Sequence, residues 1–383
     1  MSNSEIPTNI RMLLWGKSAG RCQYEGCNKP LWIDDLTKNE FNIAYHSHII
    51  ADSPNGPRGD AESSELLCKD ISNIILLCDE HHRLVDKHDV TGHPPERLFE
   101  MKRKHEQRIE LVTSLLPENQ SHVLMYGANI GQQNPNVNWN KVISALSPSW
   151  YPAEKPAIEL SLKNSSFRDS SQNYWLIEKE HLTKQYEDLI KPKILKGDIN
   201  HFSIFALAPQ PLLIYLGKLL MDIHPAEVYQ LHREPQNWLW QNAPENFKFI
   251  VQKPGQIYQK VALNLSLSAT INNSRIQEVL GDDVSIWTMT IENPYNDFLK
   301  SSEQLSLFRD EFKKLVNLIK AAHGENTMIN LFPAVPVAVA VEIGRIWMSK
   351  ADLPFRLYDQ NKDCGGFVYA FDITPSLSIT CKA

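Results

Sequence analysis

Cys22 and Cys27 form a C-x4-C pair, and Cys78 and His81 form a C-x2-H pair further along the chain. Structural zinc takes four thiolate or imidazole ligands in a tetrahedron, commonly as two short-spaced pairs on separate elements. These four residues therefore read as a zinc site. Four of the six cysteines (Cys22, Cys27, Cys68, Cys78) and seven of the thirteen histidines (His46, His48, His81, His82, His88, His93, His105) precede residue 117. In a reducing compartment such a cluster suggests metal before disulfides. Cys68 is a substitute zinc ligand with no partner nearby. His82 and Asp86 stand four apart, so on a helix they share a face and can point at one ion. An imidazole with a carboxylate suits Mg²⁺ or Mn²⁺ as well as softer ions. His46 and His48 would share one face of a strand. His88, His93 and His105 read as surface or helix-face residues.

These groups need elements to hold them. A short helix around Ile10–Trp15 opens the chain, and Arg21–Pro30 suits a tight metal-binding turn. Strands are expected around Phe41–Ile50, where Ile43, Tyr45, Ile49 and Ile50 punctuate the run, and at the short apolar segment Asn73–Leu77. Asp79–Lys87 has helical spacing, and Pro95–Leu115 reads as a longer charged helix. Ser53-Pro-Asn-Gly-Pro-Arg-Gly59 is turn chemistry.

The order of these features resembles the zinc-containing HNH (ββα-metal) nucleases. The likeness rests on Tyr45-His-Ser-His48-Ile-Ile-Ala51, on Asn73-Ile-Ile-Leu-Leu-Cys78-Asp-Glu-His81-His82-Arg-Leu-Val-Asp86, and on the preceding C-x4-C. It implies that His48 is the general base, that Asn73 holds the hairpin and orients the base, and that His82 and Asp86 bind a catalytic divalent ion. A neutral imidazole, with a pKa near ~6.5, can take a proton from water at physiological pH. A divalent ion on the scissile phosphate would offset charge on the leaving oxygen. Relatives often carry Asp or His directly before the base; here that position is Ser47, and His46 lies one residue further back. Arg58, in the Gly-Pro-Arg-Gly turn, is a candidate phosphate contact.

After residue 116 the composition changes. Residues 117–156 are rich in Asn, Gln, Pro and Ser, including Gly131-Gln-Gln-Asn-Pro-Asn-Val-Asn, and read as a linker with one short helix at Trp139–Leu146. The division expected is residues 1–116, a linker over 117–156, and a second domain over 157–383. The second domain contains a repeat offset by 127 residues, with Phe205 matching Phe332, Pro209 matching Pro336 and Gly217 matching Gly344. Each copy reads as a buried strand, a Pro-containing turn and an apolar helix (Leu212–Met221 and Val337–Met348). Candidate strands follow at Val228–His232 and Phe355–Tyr358, and helices precede at Leu182–Ile194 and Gln304–Ala322. Such units give parallel sheets. The fold class expected is α/β, with an N-terminal ββα-metal domain and a C-terminal pair of fused Rossmann-like halves.

That second domain resembles SAVED, a fusion of two CARF-like sensor units. The resemblance is carried by Phe205-Ala-Leu-Ala-Pro-Gln-Pro-Leu-Leu-Ile-Tyr-Leu-Gly217, His232-Arg-Glu-Pro-Gln-Asn-Trp-Leu-Trp240 and Leu331-Phe-Pro-Ala-Val-Pro-Val-Ala-Val-Ala-Val-Glu-Ile-Gly-Arg345. HNH followed by SAVED looks like the endonuclease effectors of bacterial cyclic-oligonucleotide antiphage (CBASS) systems. The resemblance implies a cyclic di- or trinucleotide activator (a dinucleotide favoured), a homo-oligomer formed or remodelled on ligand binding, and double-stranded DNA as substrate. Ligands of open α/β sheets sit beyond the carboxyl ends of strands, which selects Gln210 and Pro333. Arg233 is a candidate phosphate contact. Trp238 and Trp240 are candidate stacking platforms, and Ser268, Thr270 and Tyr295 are further ligand candidates. A competing function is a restriction-type nuclease whose C-terminal half reads modified DNA. A third is a zinc module without catalysis.

Charge constrains these readings. The whole chain is −6, and residues 1–116 carry 14 Lys and Arg against 18 Asp and Glu, a net of −4. A DNA-binding domain usually shows a basic face, and only the patch Arg97, Lys102, Arg103, Lys104 and Arg108 answers that description. A single copy should therefore hold DNA weakly. The apolar stretches Pro209–Leu220 and Leu331–Val341 are shorter than a membrane span, and Met-Ser-Asn-Ser-Glu-Ile-Pro is unlike a signal peptide. A cytoplasmic protein with no membrane partner is expected.

Overall fold

Ile74–Leu77 is an unbroken apolar run, and all four residues are fully buried. The elements of the first unit gather around it. The computed structural model describes residues 5–131, 133, 137–161, 167–171, 173–361 and 365–375. The chain divides into two compact units, Met1–Leu116 and Pro117–Ala383. In the first, helix α1 (Thr8–Ser18) ends in a left-handed turn at Ala19 and Gly20. A Cβ on Gly20 would lie 2.8 Å from the Trp15 ring, so this turn needs glycine on steric as well as conformational grounds.

Strand β1 (Tyr45–His48) leads to the short helix α2 (Ser63–Leu67) and then to β2 (Ile74–Leu77). The two strands pair antiparallel, with Tyr45 opposite Leu77 and His48 opposite Ile74. Helix α3 (Asp79–Arg83) starts directly after β2 and widens into a π-turn over Leu84–His88. Helix α4 (Pro95–Thr113) begins on a proline, which suits a first turn. It buries Leu98, Met101, Lys102 and His105 and packs on α1.

The second unit holds two sheets. The first is β4 (Tyr151–Pro152), β3 (Gln120–Gly127), β6 (Phe202–Leu207) and β7 (Ala226–Val228), all parallel, with β5 (Ile158–Glu159) also on β3. Helices α5 (Trp139–Leu146), α6 (Tyr174–Gln185), α7 (Lys191–Lys196) and α8 (Gln210–Leu220) belong to this half. The second sheet runs β13 (Gly366–Ile373), β12 (Phe355–Asn361), β11 (Ile329–Ala334), β9 (Lys260–Ser266), β10 (Val284–Thr290), β8 (Ile250–Gln252). Its four central strands are parallel and its two edges antiparallel. Helices α9 (Asn273–Leu280), α10 (Ser302–His323) and α11 (Val337–Arg345) accompany it.

The repeat is visible in side-chain detail. Phe205 stacks on Tyr229 with ring centres 4.3 Å apart, and Phe332 stacks on Tyr358 at 4.5 Å. A second ring meets each phenylalanine edge-on, Trp238 in one half and Phe367 in the other. The two halves meet at the matched glycines. A Cβ on Gly217 would fall 1.9 Å from the Val341 carbonyl oxygen, and one on Gly344 would fall 1.8 Å from that of Ile214. Only bare backbone allows α8 and α11 to cross this closely.

Residues 117–156 are not a linker. They contribute β3, whose Val123, Leu124, Met125 and Tyr126 are buried, together with α5 and β4. Of the polar run 131–138, residues 132 and 134–136 lie outside the described residues. The strand expected over Val228–His232 ends at Val228, which leaves Gln230, Leu231 and His232 on the loop beyond its carboxyl end. Among the described residues no helix is long and apolar enough to cross a membrane.

Candidate metal centres and ligand cleft

The N–H of Gln23 donates to the Leu76 carbonyl, and the Gln23 side chain accepts from the Leu76 N–H. This lays the Cys22 turn along the free edge of β2, whose next residue is Cys78. The ligand atoms of Cys22, Cys27, Cys78 and His81 all lie within 4.8 Å of one another. Sγ of Cys78 is 3.1 Å and Sγ of Cys22 3.7 Å from His81 Nδ1. The Tyr24 ring stacks on His81 at 4.0 Å, and its hydroxyl bonds His93 at 2.9 Å. Hydrogen bonding from Cys22 draws the Cys78 thiol down to about 5, with His81 adding to the effect, while the same contact and burial push Cys22 up. Three sulfurs and one imidazole nitrogen at this spacing fit tetrahedral zinc. Cys68 is outside the cluster; its thiol donates to the Glu65 carbonyl.

A second convergence lies between β1 and α3. Ser47 Oγ is 2.5 Å from His82 Nδ1, which is 3.1 Å from an Asp86 carboxylate oxygen. Tyr45 stacks on the His82 ring at 4.5 Å. Burial would raise the Asp86 pKa, but His82 and Arg58 together hold it below the ordinary carboxylate range. An imidazole nitrogen and two oxygens meeting at one point fit a divalent ion whose other positions go to water and phosphate. Ser47, a departure from the HNH pattern in sequence, thus stands in the position of a donor.

His48 is buried, and its Nε2 lies 2.8 Å from the Cys68 carbonyl oxygen. A carbonyl can only accept, so Nε2 carries the hydrogen and Nδ1 keeps a lone pair for an incoming proton. Asn73 is fully buried. Its amide donates to the Ile50 and Leu67 carbonyls and accepts from the Ile50 N–H, which closes the two ends of the segment that follows β1 and His48.

Arg58 is not a phosphate contact. Its side chain is 4% exposed, and its donors go to the carbonyls of His48, Ile49 and Val85 and to Asp86 at 2.5 Å. It fastens β1 to the Asp86 turn. His93 and His105, expected on the surface or a helix face, are buried; His105 bonds the Ser18 carbonyl at 3.0 Å.

In the second unit a cleft of about 750 Å³ opens where the two halves meet. Pro209 and Gln210 at the start of α8, and Pro336 and Val337 at the start of α11, line it. Two helix N-termini thus face one space, a favourable setting for anions. The Gln210 side chain both donates to and accepts from the Val335 backbone, and Gln230 caps the Ala338 N–H.

Gln210, Arg233, Ser268 and Pro333 are in the cleft lining, and the buried Ser268 hydroxyl has no hydrogen-bond partner among the described residues. Four other candidates are corrected. Trp238 is core, edge-on to Phe205, and Trp240 donates its indole N–H to Glu227 at 3.0 Å. Thr270 is exposed on the loop before α9, outside the cleft lining. Tyr295 lines a separate cavity with Phe247 and Phe298.

Sequence reasoning missed Asp169, Gln230, His232 and Asp359, all in the lining. Extending the strand to His232 hid two of them inside an element, although the rule that ligands sit past strand ends would have found them. His232 is fully buried and 3.5 Å from Asp297, which Lys300 holds at 2.5 Å. Burial and the nearby Asp169 push the Asp359 carboxyl up to about 7.

The SAVED family, described as the SMODS-associated and fused to various effectors sensor domain, matches residues 182–373. No curated protein matches the chain. Among solved structures, the Cap4 SAVED/CARF-domain containing receptor of Acinetobacter baumannii with the cyclic trinucleotide 2'3'3'-cAAA is 15% identical, covering 72% of this chain and 56% of that one, at a TM-score of 0.40. The same receptor with 3'3'3'-cAAA is 14% identical over 72% and 56%, at 0.43. The Moraxella osloensis Cap4 receptor is 14% identical over 72% and 54%, also at 0.43. The chain thus spans little more than half the length of these receptors.

Proposed function

The chain belongs to the SAVED sensor family, and on that premise we propose that it is a DNA endonuclease switched on by a cyclic oligonucleotide, acting in antiphage defence of the CBASS type. The observation that carries the nuclease reading is the meeting of His82 and Asp86 with Ser47, the strand neighbour of a buried His48 whose Nε2–H is held by the Cys68 carbonyl, leaving Nδ1 free. Cys22, Cys27, Cys78 and His81 would hold a structural zinc that ties the entry turn to α3. Ser47, His82 and Asp86 would hold Mg²⁺ or Mn²⁺.

In the reaction, His48 Nδ1 takes the proton from the attacking water, and Nε2–H stays on the Cys68 carbonyl so the ring cannot turn. Asn73 holds the loop that presents His48, and Arg58 holds Asp86 against His82. The divalent ion supplies charge stabilisation to the phosphate and the leaving oxygen.

The activator reading rests on the family and on the cleft. Two helix starts related by the internal repeat suit a ligand that itself carries repeated phosphates, and Arg233 adds a cation. The Acinetobacter receptor is found with cyclic trinucleotides; the reciprocal contacts of Gly217 and Gly344 between α8 and α11 in this chain favour a dinucleotide. A unit of net charge −4 with one hydrolytic site cuts duplex DNA best as a pair. Ligand-driven association of copies would supply both avidity and the second site.

The test is a plasmid-cleavage assay with the full chain, Mg²⁺ and a panel of cyclic di- and trinucleotides. Cleavage with one ligand, lowered at least a thousandfold in His48→Ala, supports the reading. Cleavage of modified DNA without any ligand would transfer the role of the second unit to DNA reading. An unchanged His48→Ala would end the nuclease proposal.

A further inference from the structure

A recess of about 380 Å³ in the first unit is lined by Thr8, Arg11, Met12 and Trp15 of α1, by Asn42, and by His46 of β1. Two buried nitrogens in it, Nε of Arg11 and Nε2 of His46, have no hydrogen-bond partner among the described residues. Buried polar groups are rarely left so, because each unpaired donor forfeits its hydration. Two in one recess indicate a missing acceptor. The only carboxylate paired with Arg11 among the described residues is Glu5, at 3.7 Å, and that side chain is 90% exposed. Such a contact is long and screened and leaves Nε untouched.

Arg11 of α1 and His46 of β1 reach the recess from different elements. The acceptor that answers all of this is anionic and carries more than one oxygen, since a guanidinium fork and a ring N–H approach from different elements.

Resting on the nuclease reading, we propose that Arg11 and His46 form a second phosphate-binding site, which grips the backbone of the DNA beside the phosphate being cut. His46 lies two residues before His48 on β1, a step of about 6.6 Å along a strand. That is comparable to the distance between successive phosphates of one nucleic-acid strand. The site also answers a deficiency: a unit of net negative charge needs local cationic contacts to hold a polyanion, and the basic patch on α4 is largely paired internally, Arg103 and Lys104 with Glu100 and Lys102 with Glu106.

The test measures binding of a labelled 20-base-pair duplex to the full chain carrying His48→Ala, with Mg²⁺, over a range of salt and across the panel of cyclic nucleotides. Arg11→Gln should weaken binding about tenfold and flatten the slope of log affinity against log salt by about 1. His46→Gln should weaken it about threefold, and Arg11→Lys should restore most of the slope. Lys17→Gln removes the same charge from an exposed position of α1 and should change both quantities much less. Equal behaviour of Arg11→Gln and Lys17→Gln would overturn the site while leaving the nuclease reading intact. A parent chain that neither binds duplex nor cleaves plasmid with any ligand would overturn both.

Discussion

The proposed hydrolytic centre and the proposed ligand cleft are put together differently. In the first unit, β1, α3 and the π-turn after it bring Ser47, His82 and Asp86 together within 40 residues of sequence, and two of the three, His82 and Asp86, are residue types whose chemistry announces itself. In the second, the cleft forms where helix starts and strand ends from two copies of a repeat converge. Its central link is Gln210 to the Val335 backbone, 125 residues away. One site is written in side chains; the other is written in topology. The difference predicts that the first fails by losing ligands and the second by losing geometry or charge balance.

The largest effect should come from the proposed zinc tetrad, Cys22, Cys27, Cys78 and His81. Cys78→Ser should release the metal, measured by elemental analysis, and unfold residues 5–116, measured by hydrogen exchange, because structural zinc supplies about 10 kcal/mol or more of folding free energy. The second unit should keep its protection pattern. A zinc-free variant with an unaltered first unit would erase the contrast between the two regions.

Arg58→Ala should act next most strongly. It removes the partner that aligns Asp86 and three carbonyl contacts, so kcat should fall about ten- to a hundredfold with little change in KM for DNA. A raised KM and a flatter salt dependence would instead make Arg58 a phosphate contact.

The smallest effect concerns charge in the cleft. The Asp359 carboxyl is raised from an ordinary value of 3.8 to about 7 by burial and by Asp169. Between about pH 4 and 7 the folded protein therefore holds a proton that the unfolded chain has released. Stability from this group is full below that window and is lost as pH rises through it. Above pH 7 the ionised Asp359 joins Asp169, leaving Arg233 and the helix starts to oppose them. Asp359→Asn should melt at a higher temperature than the parent at pH 8, with the gap narrowing steadily as pH falls towards 4. It should also hold an anionic ligand more evenly over that range. A gap independent of pH would remove the carboxyl from this role.

What could be read beforehand follows the same division. Ligand spacing singled out Cys22, Cys27, Cys78 and His81, and the helical interval singled out His82 and Asp86, because metal ligation restricts residue type; the structure brings each set together. The π-turn at Leu84–His88, the donor position of Ser47 and the inward course of Arg58 were not legible, since a serine or a turn arginine carries no periodic signal. In the second unit, Gly217 and Gly344 stood out as matched positions, and the structure gives the reason in the crossing of α8 and α11. Strand β3 was hidden because its four apolar residues sit among polar, turn-forming sequence. Trp238 was misjudged because an aromatic near a loop looks the same in sequence whether it packs on Phe205 or awaits a base.

The most direct test of the whole account is the ligand-concentration dependence of plasmid cleavage in Arg233→Glu against the parent. Arg233 lines the cleft and belongs to the second unit, whereas Ser47, His82 and Asp86 belong to the first. The account predicts an unchanged maximal rate, with the midpoint moved at least tenfold to higher ligand. Equal midpoints, or cleavage by either protein with no ligand present, would contradict it.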